Sequence, residues 1–175
     1  MYFAALLART DDGWEASDTE LDNVETLADL ADLAREAALD DDTVLVLIEQ
    51  EGSWFGVVRV DGEDDPRVFV SDAVVAGRSS YGAMLVDELI GRDDTDADEL
   101  DDLDLDGTED GEPDPAEDEP EGEAPAEPRP SGPLGDPGLL ADFGVGAKEL
   151  LGLEGDALGE IADALGCTDV LEAVR

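Results

Sequence analysis

The chain has 175 residues, of which 50 are Asp or Glu and only nine are Lys or Arg, so its formal net charge at pH 7 is −41. Phosphate binding depends on clustered basic side chains that release counterions, and a surface this acidic repels nucleic acids and anionic membranes. The composition therefore argues against direct binding of nucleic acid or membrane, and it favours basic proteins, or cations held diffusely, as partners.

The N-terminal residues predict a hairpin followed by a helix. An apolar run over residues 2–9 and a second strand over 14–19 flank an Asp-Asp-Gly turn, and Asp-Gly favours tight turns. Apolar residues then recur at helical spacing up to residue 38. Either Asp22 or Asn23 is expected to cap this helix.

Residues 43–70 predict three more strands, at 43–49, 54–60 and 67–70, of which the third is expected to be the last of the sheet. The short turns between them require antiparallel pairing. A helix is expected to begin at Ser71 or Asp72, to break near Gly77 and to close at Gly91. The fold class is therefore α+β, an antiparallel sheet of about five strands with two helices on one face.

The composition changes sharply after this region. Residues 93–128 contain 19 acidic side chains, no Lys or Arg and no aromatic residue. Such a segment buries too little apolar surface to offset the entropy of ordering, which predicts a disordered acidic linker. The chain is accordingly divided into an α+β domain (1–91), the linker (92–131) and a small helical domain (132–175).

Residues 132–175 regain apolar periodicity in short pieces, which predicts three or four short helices. Thr168 or Asp169 is expected to cap the last of them. These helices either form a bundle of their own or dock on another surface, and the sequence leaves both alternatives open.

Catalytic signals are sparse. The chain has no histidine and one cysteine, Cys167. This excludes Ser-His-Asp triads, HExxH helices, His-ligated zinc and CxxC clusters. No glycine-rich phosphate loop occurs. We therefore predict a protein that is not an enzyme and has no cofactor, catalytic residue or metal site. The alternative is a small-ligand-binding or enzymatic α+β domain of unknown substrate.

One segment partly matches a calcium loop. Asp102, Asp104, Asp106 and Asp110 stand at ligand positions, but Pro113 occupies the place of the bidentate glutamate. Near-matches of this kind arise by chance in an acidic segment, so no specific calcium site is predicted.

Two groups of residues are candidates for binding. Trp14 and Trp54 are interpreted first as core residues and alternatively as the lining of a pocket. The polar cluster Arg78, Ser79, Ser80 and Tyr81 stands at a helix start and is the first candidate for an anion site.

The single cysteine and the apolar N-terminal run indicate in which cellular compartment the protein is expected. Cys167 is expected to be a small buried residue, and a single cysteine allows no intramolecular disulfide, which fits the reducing cytosol. The apolar run at the N-terminus is too short to span a bilayer. A cytoplasmic location is therefore expected.

Several segments resemble one known family, the tRNA adenosine deaminase-associated proteins of actinobacteria. The resemblance covers both ends of the chain and leaves the acidic middle variable. The segments are YFAALLART (2–10), GWEA (13–16), TVLVLIEQ (43–50), WFGVVRV (54–60), RVFVSDA (67–73), RSSYG (78–82), GPLGD (132–136) and VLEAVR (170–175).

The resemblance implies a gene neighbourhood shared with the zinc enzyme that converts adenosine to inosine in tRNA. The chain has neither the HxE nor the PCxxC motif of zinc deaminases, so it is not the deaminase itself. Together these observations predict a non-enzymatic acidic accessory protein that binds a basic protein, with tRNA adenosine deaminase as the first candidate. Its role would be that of a regulator, a mimic or a chaperone. A homodimer formed through an exposed sheet edge is a further alternative.

Overall fold

The structure is a computed structural model that describes residues 2–18, 21–38, 43–101 and 131–175, with residues 92–101 described by their backbone. Its six strands form one sheet in the order β2-β1-β3-β4-β5-β6, and every neighbouring pair is antiparallel. The strands are β1 (Tyr2–Thr10), β2 (Gly13–Asp18), β3 (Thr43–Gln50), β4 (Trp54–Asp61), β5 (Arg67–Val70) and β6 (Leu134–Gly135). The predicted α+β class is confirmed.

The strands predicted from local patterns form as expected. β1 and β2 make the hairpin, and Gly13 adopts the positive φ of 135° that the turn needs. β3, β4 and β5 form the antiparallel meander. β3 is apolar along most of its length because its side chains are buried on both faces of the sheet, with Val44 and Val46 on one face and Leu45 and Leu47 on the other.

The first helix, α1 (Leu27–Ala37), begins later than expected. The sequence prediction of Asp22 or Asn23 as its cap is wrong, because both lie in a short 3-10 turn, Leu21–Asn23. Thr26 caps the helix instead. Its hydroxyl accepts a hydrogen bond from the Asp29 amide (3.2 Å), and the Asp29 carboxylate accepts one from the Thr26 amide (3.0 Å). This reciprocal pair satisfies amides that the helix leaves free.

Two further helices, α2 (Ala73–Ala76) and α3 (Ser80–Asp101), follow β5. Asp72 caps α2 by accepting from the Val75 amide (2.9 Å), and the helix breaks at Gly77 as predicted. The expectation that Gly91 ends the next helix is wrong, since α3 continues to Asp101. Gly91 is not among the glycines with positive φ, and a glycine inside a helix is tolerated at about 1 kcal/mol relative to alanine.

Helices α1, α2 and α3 cover the first face of the sheet. Their apolar residues share one core with Val44, Val46 and Ile48 of β3 and with Trp54 and Val58 of β4.

The sequence prediction that β5 is the last strand is also wrong, because β6 pairs beside it. Phe69 lies opposite Gly135, Val70 lies opposite Leu134, and the Asp136 amide donates to the Val68 carbonyl (2.9 Å). β6 comes from a part of the chain far from β5 and has only two residues, so no local pattern indicates it.

The C-terminal helices are α4 (Ala147–Leu151), α5 (Ala157–Leu165) and α6 (Thr168–Val174), preceded by a 3-10 turn, Ala141–Phe143. They pack on the second face of the sheet, which settles the alternative that the sequence left open. Shared core residues include Leu7, Leu45, Leu47, Val57 and Phe69 of the sheet and Leu139, Leu140, Leu150, Leu158, Ile161 and Leu171 of the C-terminal part.

The prediction that Thr168 or Asp169 caps the last helix is wrong, because Cys167 occupies the capping position and Thr168 is already helical. The Cys167 carbonyl accepts from the Leu171 amide (3.0 Å), which starts the helix one residue earlier than the polar side chains suggest.

Most of the predicted disordered linker, residues 102–130, lies outside the described residues. The division of the chain into three parts remains a prediction. Across the described ranges, none of the helices combines the length and the apolar character needed to cross a bilayer.

Candidate functional site

The polar cluster at residues 78–81 lies at the junction of α2 and α3. Ser79 is buried, and its hydroxyl donates to the Ala76 carbonyl (2.9 Å) and accepts from the Gly82 amide (3.0 Å). Arg78 and Ser80 are exposed beside it. The Ser79 hydroxyl is therefore engaged in joining the two helices, while the anion site proposed for this cluster remains a prediction.

The aromatic members of the candidate set are spread over the sheet. Trp54 is buried against the helices of the first face, where its indole donates to the Gln50 side chain (2.9 Å). Trp14 lies on the second face, with its ring edge on Phe143 (5.2 Å between centroids). Tyr81 packs on Tyr2 (5.5 Å). The two indoles thus lie on opposite faces and do not line a common pocket.

One pocket lies where the sheet meets the C-terminal helices, and its lining residues include Trp54 but not Trp14. It encloses about 570 Å³. Phe55 and Phe69 of the sheet contribute apolar surface, and Leu150 and Leu151 of α4 lie across from them. Three carboxylates also line it, from Glu49, Asp72 and Glu154. We call it the Glu49 pocket.

Glu49 is the unusual member of this lining. It is 6% exposed, and on β3 it follows Leu45 and Leu47 on the face that packs against the C-terminal helices. Phe3 and Phe55 are its neighbours on the adjacent strands. Within the described part of the chain, its Oε2 atom has no hydrogen-bond partner. A buried carboxylate oxygen without a donor is unfavourable, so the site needs an explanation.

One cation lies near Glu49 without satisfying it. The Arg175 Nη2 atom is 3.6 Å from Glu49 Oε2, while Arg175 Nη1 donates to Asp156 Oδ1 at 2.6 Å. Burial raises the pKa of Glu49, and the charge of Arg175 opposes that rise. Arg175 is therefore held mainly by Asp156, and it screens Glu49 from one side only.

A second buried charge, Arg59, joins the sheet to the C-terminal part. Its guanidinium donates to Asp61 Oδ2 (2.8 Å), to the Leu139 carbonyl (2.7 Å) and to Asp142 Oδ2 (3.2 Å). It also lies over the Phe143 ring, 4.8 Å from the centroid. Arg59 is therefore paired with acidic side chains, and its donors are used inside the molecule.

Cys167 is buried, as predicted. Burial raises the pKa of its thiol to about 11. Because the thiolate is the nucleophilic form, this cysteine is a packing residue in the structure.

Metal ligands do not assemble in the described part of the chain, where no group of three or more His, Cys, Asp or Glu side chains is placed to hold an ion. The partial calcium loop at residues 102–113 lies outside the described residues.

The candidate residues drawn from the sequence do not include Glu49. The sequence signal for Glu49 is its position in the strand, because it falls on the same face as Leu45 and Leu47, two residues after Leu47. A charged residue at that position predicts a carboxylate at the edge of the core. Its electrostatic surroundings depend on Arg175 and Asp156, which are more than 100 residues away in the chain and carry no local signal.

The described residues thus define an α+β protein with an acidic pocket between its sheet and its C-terminal helices. The chain belongs to a family whose model matches residues 2–168 and is described as Rv3753c-like tRNA adenosine deaminase-associated protein. This confirms the resemblance found in the sequence. The description associates the family with the deaminase and does not describe its members as deaminases. No curated protein and no solved structure shows a significant match to the chain.

Proposed function

We propose that this protein is a non-enzymatic accessory protein of the cytosol that binds a basic surface of a tRNA adenosine deaminase. The family description supplies the candidate partner. The charge supplies the mode of binding, since a net charge of −41 attracts basic proteins and repels tRNA.

The observation that carries the proposal is how the protein uses its few cations. Arg35 contacts Asp32, Arg67 contacts Asp136, and Arg59 and Arg175 each contact two carboxylates. These four arginines are directed toward the protein's own acids. Because the chain has 50 acidic and nine basic residues, a large excess of negative charge is left for a basic partner.

Titration of purified deaminase into the protein at several salt concentrations tests this proposal. We expect binding at roughly 50 mM NaCl that weakens at least tenfold by about 500 mM, because salt screens exposed charges. Lysozyme, a basic protein unrelated to tRNA, is the control for non-specific attraction. The deaminase should bind more tightly than lysozyme at every salt concentration.

The proposal fails if the deaminase does not bind at low salt, where charge pairing is strongest. It also fails if lysozyme binds equally well, since the attraction would then be generic. Deaminase activity measured in parallel, with and without the protein, separates a regulator from a partner that leaves the reaction unchanged.

The alternative of a small-ligand-binding or enzymatic domain was based on a pocket around Trp14, Trp54 and the cluster at residues 78–81. The placement of the two indoles on opposite faces gives that pocket no support. A metabolite-binding role would therefore have to use another cavity, for which the Glu49 pocket, lined by Trp54 but not by Trp14, is the candidate.

A further inference from the structure

The Glu49 pocket has the chemistry of a cation site. Its lining includes the carboxylates of Glu49, Asp72 and Glu154, and no Lys or Arg side chain is among the lining residues. The pocket is open to one side, where Leu151 is 48% exposed. A lining that combines carboxylates with apolar side chains suits a charged group on an aliphatic stem.

The carboxylates differ in how far they are already satisfied. One oxygen of Asp72 caps α2, and Glu154 is exposed to solvent. Glu49 is more than nine-tenths buried, and its Oε2 atom has an ion pair with Arg175 at 3.6 Å but no hydrogen-bond donor among the described residues. It is therefore the group that gains most from a donor entering the pocket.

Aromatic side chains give the pocket part of its apolar lining. Phe55 and Phe69 lie side by side on adjacent strands, with their ring centroids 5.9 Å apart, and both line the pocket. Both rings are almost fully buried, at 5% and 1% exposure, so they contribute apolar wall to the pocket. The pocket volume of about 570 Å³ accommodates a Lys or Arg side chain with room to spare.

We propose that the Glu49 pocket is the docking site for a lysine or arginine side chain presented by a protein partner. This inference rests on the proposed function in taking a basic protein as the partner, and it identifies where that protein is anchored. Glu49 accepts a hydrogen bond from the cation, Asp72 and Glu154 add charge, and Leu151 contacts the stem.

Two amides of single amino acids test the chemistry without any partner. N-acetyl-arginine methylamide and N-acetyl-lysine methylamide are titrated into the isotope-labelled full chain and followed by the amide chemical shifts. We expect shifts at Gly52, Ser53, Phe55 and Ser71, which belong to the pocket lining or lie beside it. N-acetyl-glutamine methylamide, which is uncharged, should cause none.

Substitutions locate the interaction. Glu49→Gln should weaken binding of the arginine probe about tenfold, as expected for loss of one charge-assisted hydrogen bond. Glu154→Gln, which changes an exposed side chain and leaves the core intact, should weaken it about threefold. Glu36→Gln is the matched control, since Glu36 is exposed on α1 at the other face of the sheet and should leave binding unchanged.

The inference is overturned if neither probe shifts the pocket amides, or if Glu49→Gln and Glu154→Gln both bind as the unsubstituted protein does. Titration with the deaminase separates the two proposals. Pocket shifts with the probes but no binding of deaminase would leave the pocket standing and reject the proposed function. Binding of deaminase that leaves the pocket amides unmoved would support the proposed function and reject this docking site.

Discussion

At the scale of single residues, the structure buries two charged side chains, Arg59 and Glu49, that differ in their hydrogen bonding. Arg59 is surrounded by acceptors, with two carboxylates and one carbonyl at hydrogen-bonding distance. Glu49 is equally buried, yet one of its oxygens has no donor in the described part of the chain. Removing one partner of a buried, hydrogen-bonded charge is strongly destabilising, and a buried charged oxygen without a donor reduces stability.

Substitution of Arg59 should show how much this buried arginine contributes to the free energy of unfolding. Arg59→Ala leaves Asp61 Oδ2 and the Leu139 carbonyl without the donor that Arg59 supplies, and we expect a loss of about 3 kcal/mol in the free energy of unfolding. Urea unfolding followed by tryptophan fluorescence measures this loss. Arg67→Ala is the control, because Arg67 is half exposed and its ion pair with Asp136 is 3.9 Å long, so its loss should be below about 0.5 kcal/mol. Equal losses would contradict a special role for Arg59.

Glu49 should make stability depend on pH. Burial raises its pKa above the ordinary value of 4.5, so the folded protein holds this proton to a higher pH than the unfolded chain does. The associated stability is present below 4.5 and is lost as pH rises through the raised pKa. We therefore expect Glu49→Gln to gain stability relative to the unsubstituted protein between about pH 4 and pH 7, in paired urea titrations.

Asp29 provides a control of opposite sign. Its pKa is lowered because its carboxylate accepts hydrogen bonds from Thr26 and from the Glu25 amide. Its contribution is present above the ordinary value of 3.8 and is lost as pH falls, so Asp29→Asn should become less stable relative to the unsubstituted protein as pH rises. If the Glu49 variant followed the same direction, attraction by Arg175 would outweigh burial.

At the scale of elements, β6 depends on one glycine. Gly135 has φ of 98°, and a Cβ atom there would collide with the Val68 carbonyl of β5. Gly135→Ala should therefore lower the free energy of unfolding by about 3 kcal/mol, since it combines backbone strain with a steric clash. Gly144→Ala is the matched control, because Gly144 has φ of 96° but open space around it, and should lose about 1 kcal/mol. Equal losses would show that the clash is relieved by movement of β6.

The elements that sequence predicts are those with local causes. An unbroken apolar run predicts β3. The residues Asp12 and Gly13 at the turn predict the β1–β2 hairpin. β6 escapes prediction because two residues carry no periodicity and their pairing is decided by β5. The sequence does not predict the start of α1 correctly because several polar residues before the helix could cap it. Only the reciprocal hydrogen bonds between Thr26 and Asp29 identify Thr26 as the cap. The Glu49 pocket is lined by parts of the chain that are far apart in sequence, and local secondary-structure propensity does not predict that they meet.

At the scale of the whole molecule, the C-terminal part completes the core. The second face of the sheet exposes Leu7, Leu45, Leu47 and Phe69 unless α4, α5 and α6 cover it. Apolar burial contributes about 25 cal/mol per Å², so this face is a large share of the stability. The proposed division into parts 1–91, 92–131 and 132–175 can therefore be examined by separating them.

We expect a fragment of residues 1–91 to bind a hydrophobic dye and to unfold with low cooperativity. Addition of a peptide of residues 132–175 should displace the dye and restore the cooperative transition, because it supplies both β6 and the covering helices. A peptide with Leu158 and Ile161 replaced by Ser is the control and should not restore it. If fragment 1–91 is as stable as the full chain, the second face contributes little.

The two edges of the sheet have a consequence for self-association. On one side, β6 leaves only two residues for another strand to pair with. On the other, β2 carries exposed Glu15 and Asp18 beside the acidic turn of Asp11 and Asp12. Two copies approaching through β2 would bring like charges together, which opposes edge-to-edge pairing. Added salt should therefore favour self-association, measured by light scattering, while it weakens binding to a basic partner. The opposite responses to ionic strength would distinguish a homodimer from the proposed complex.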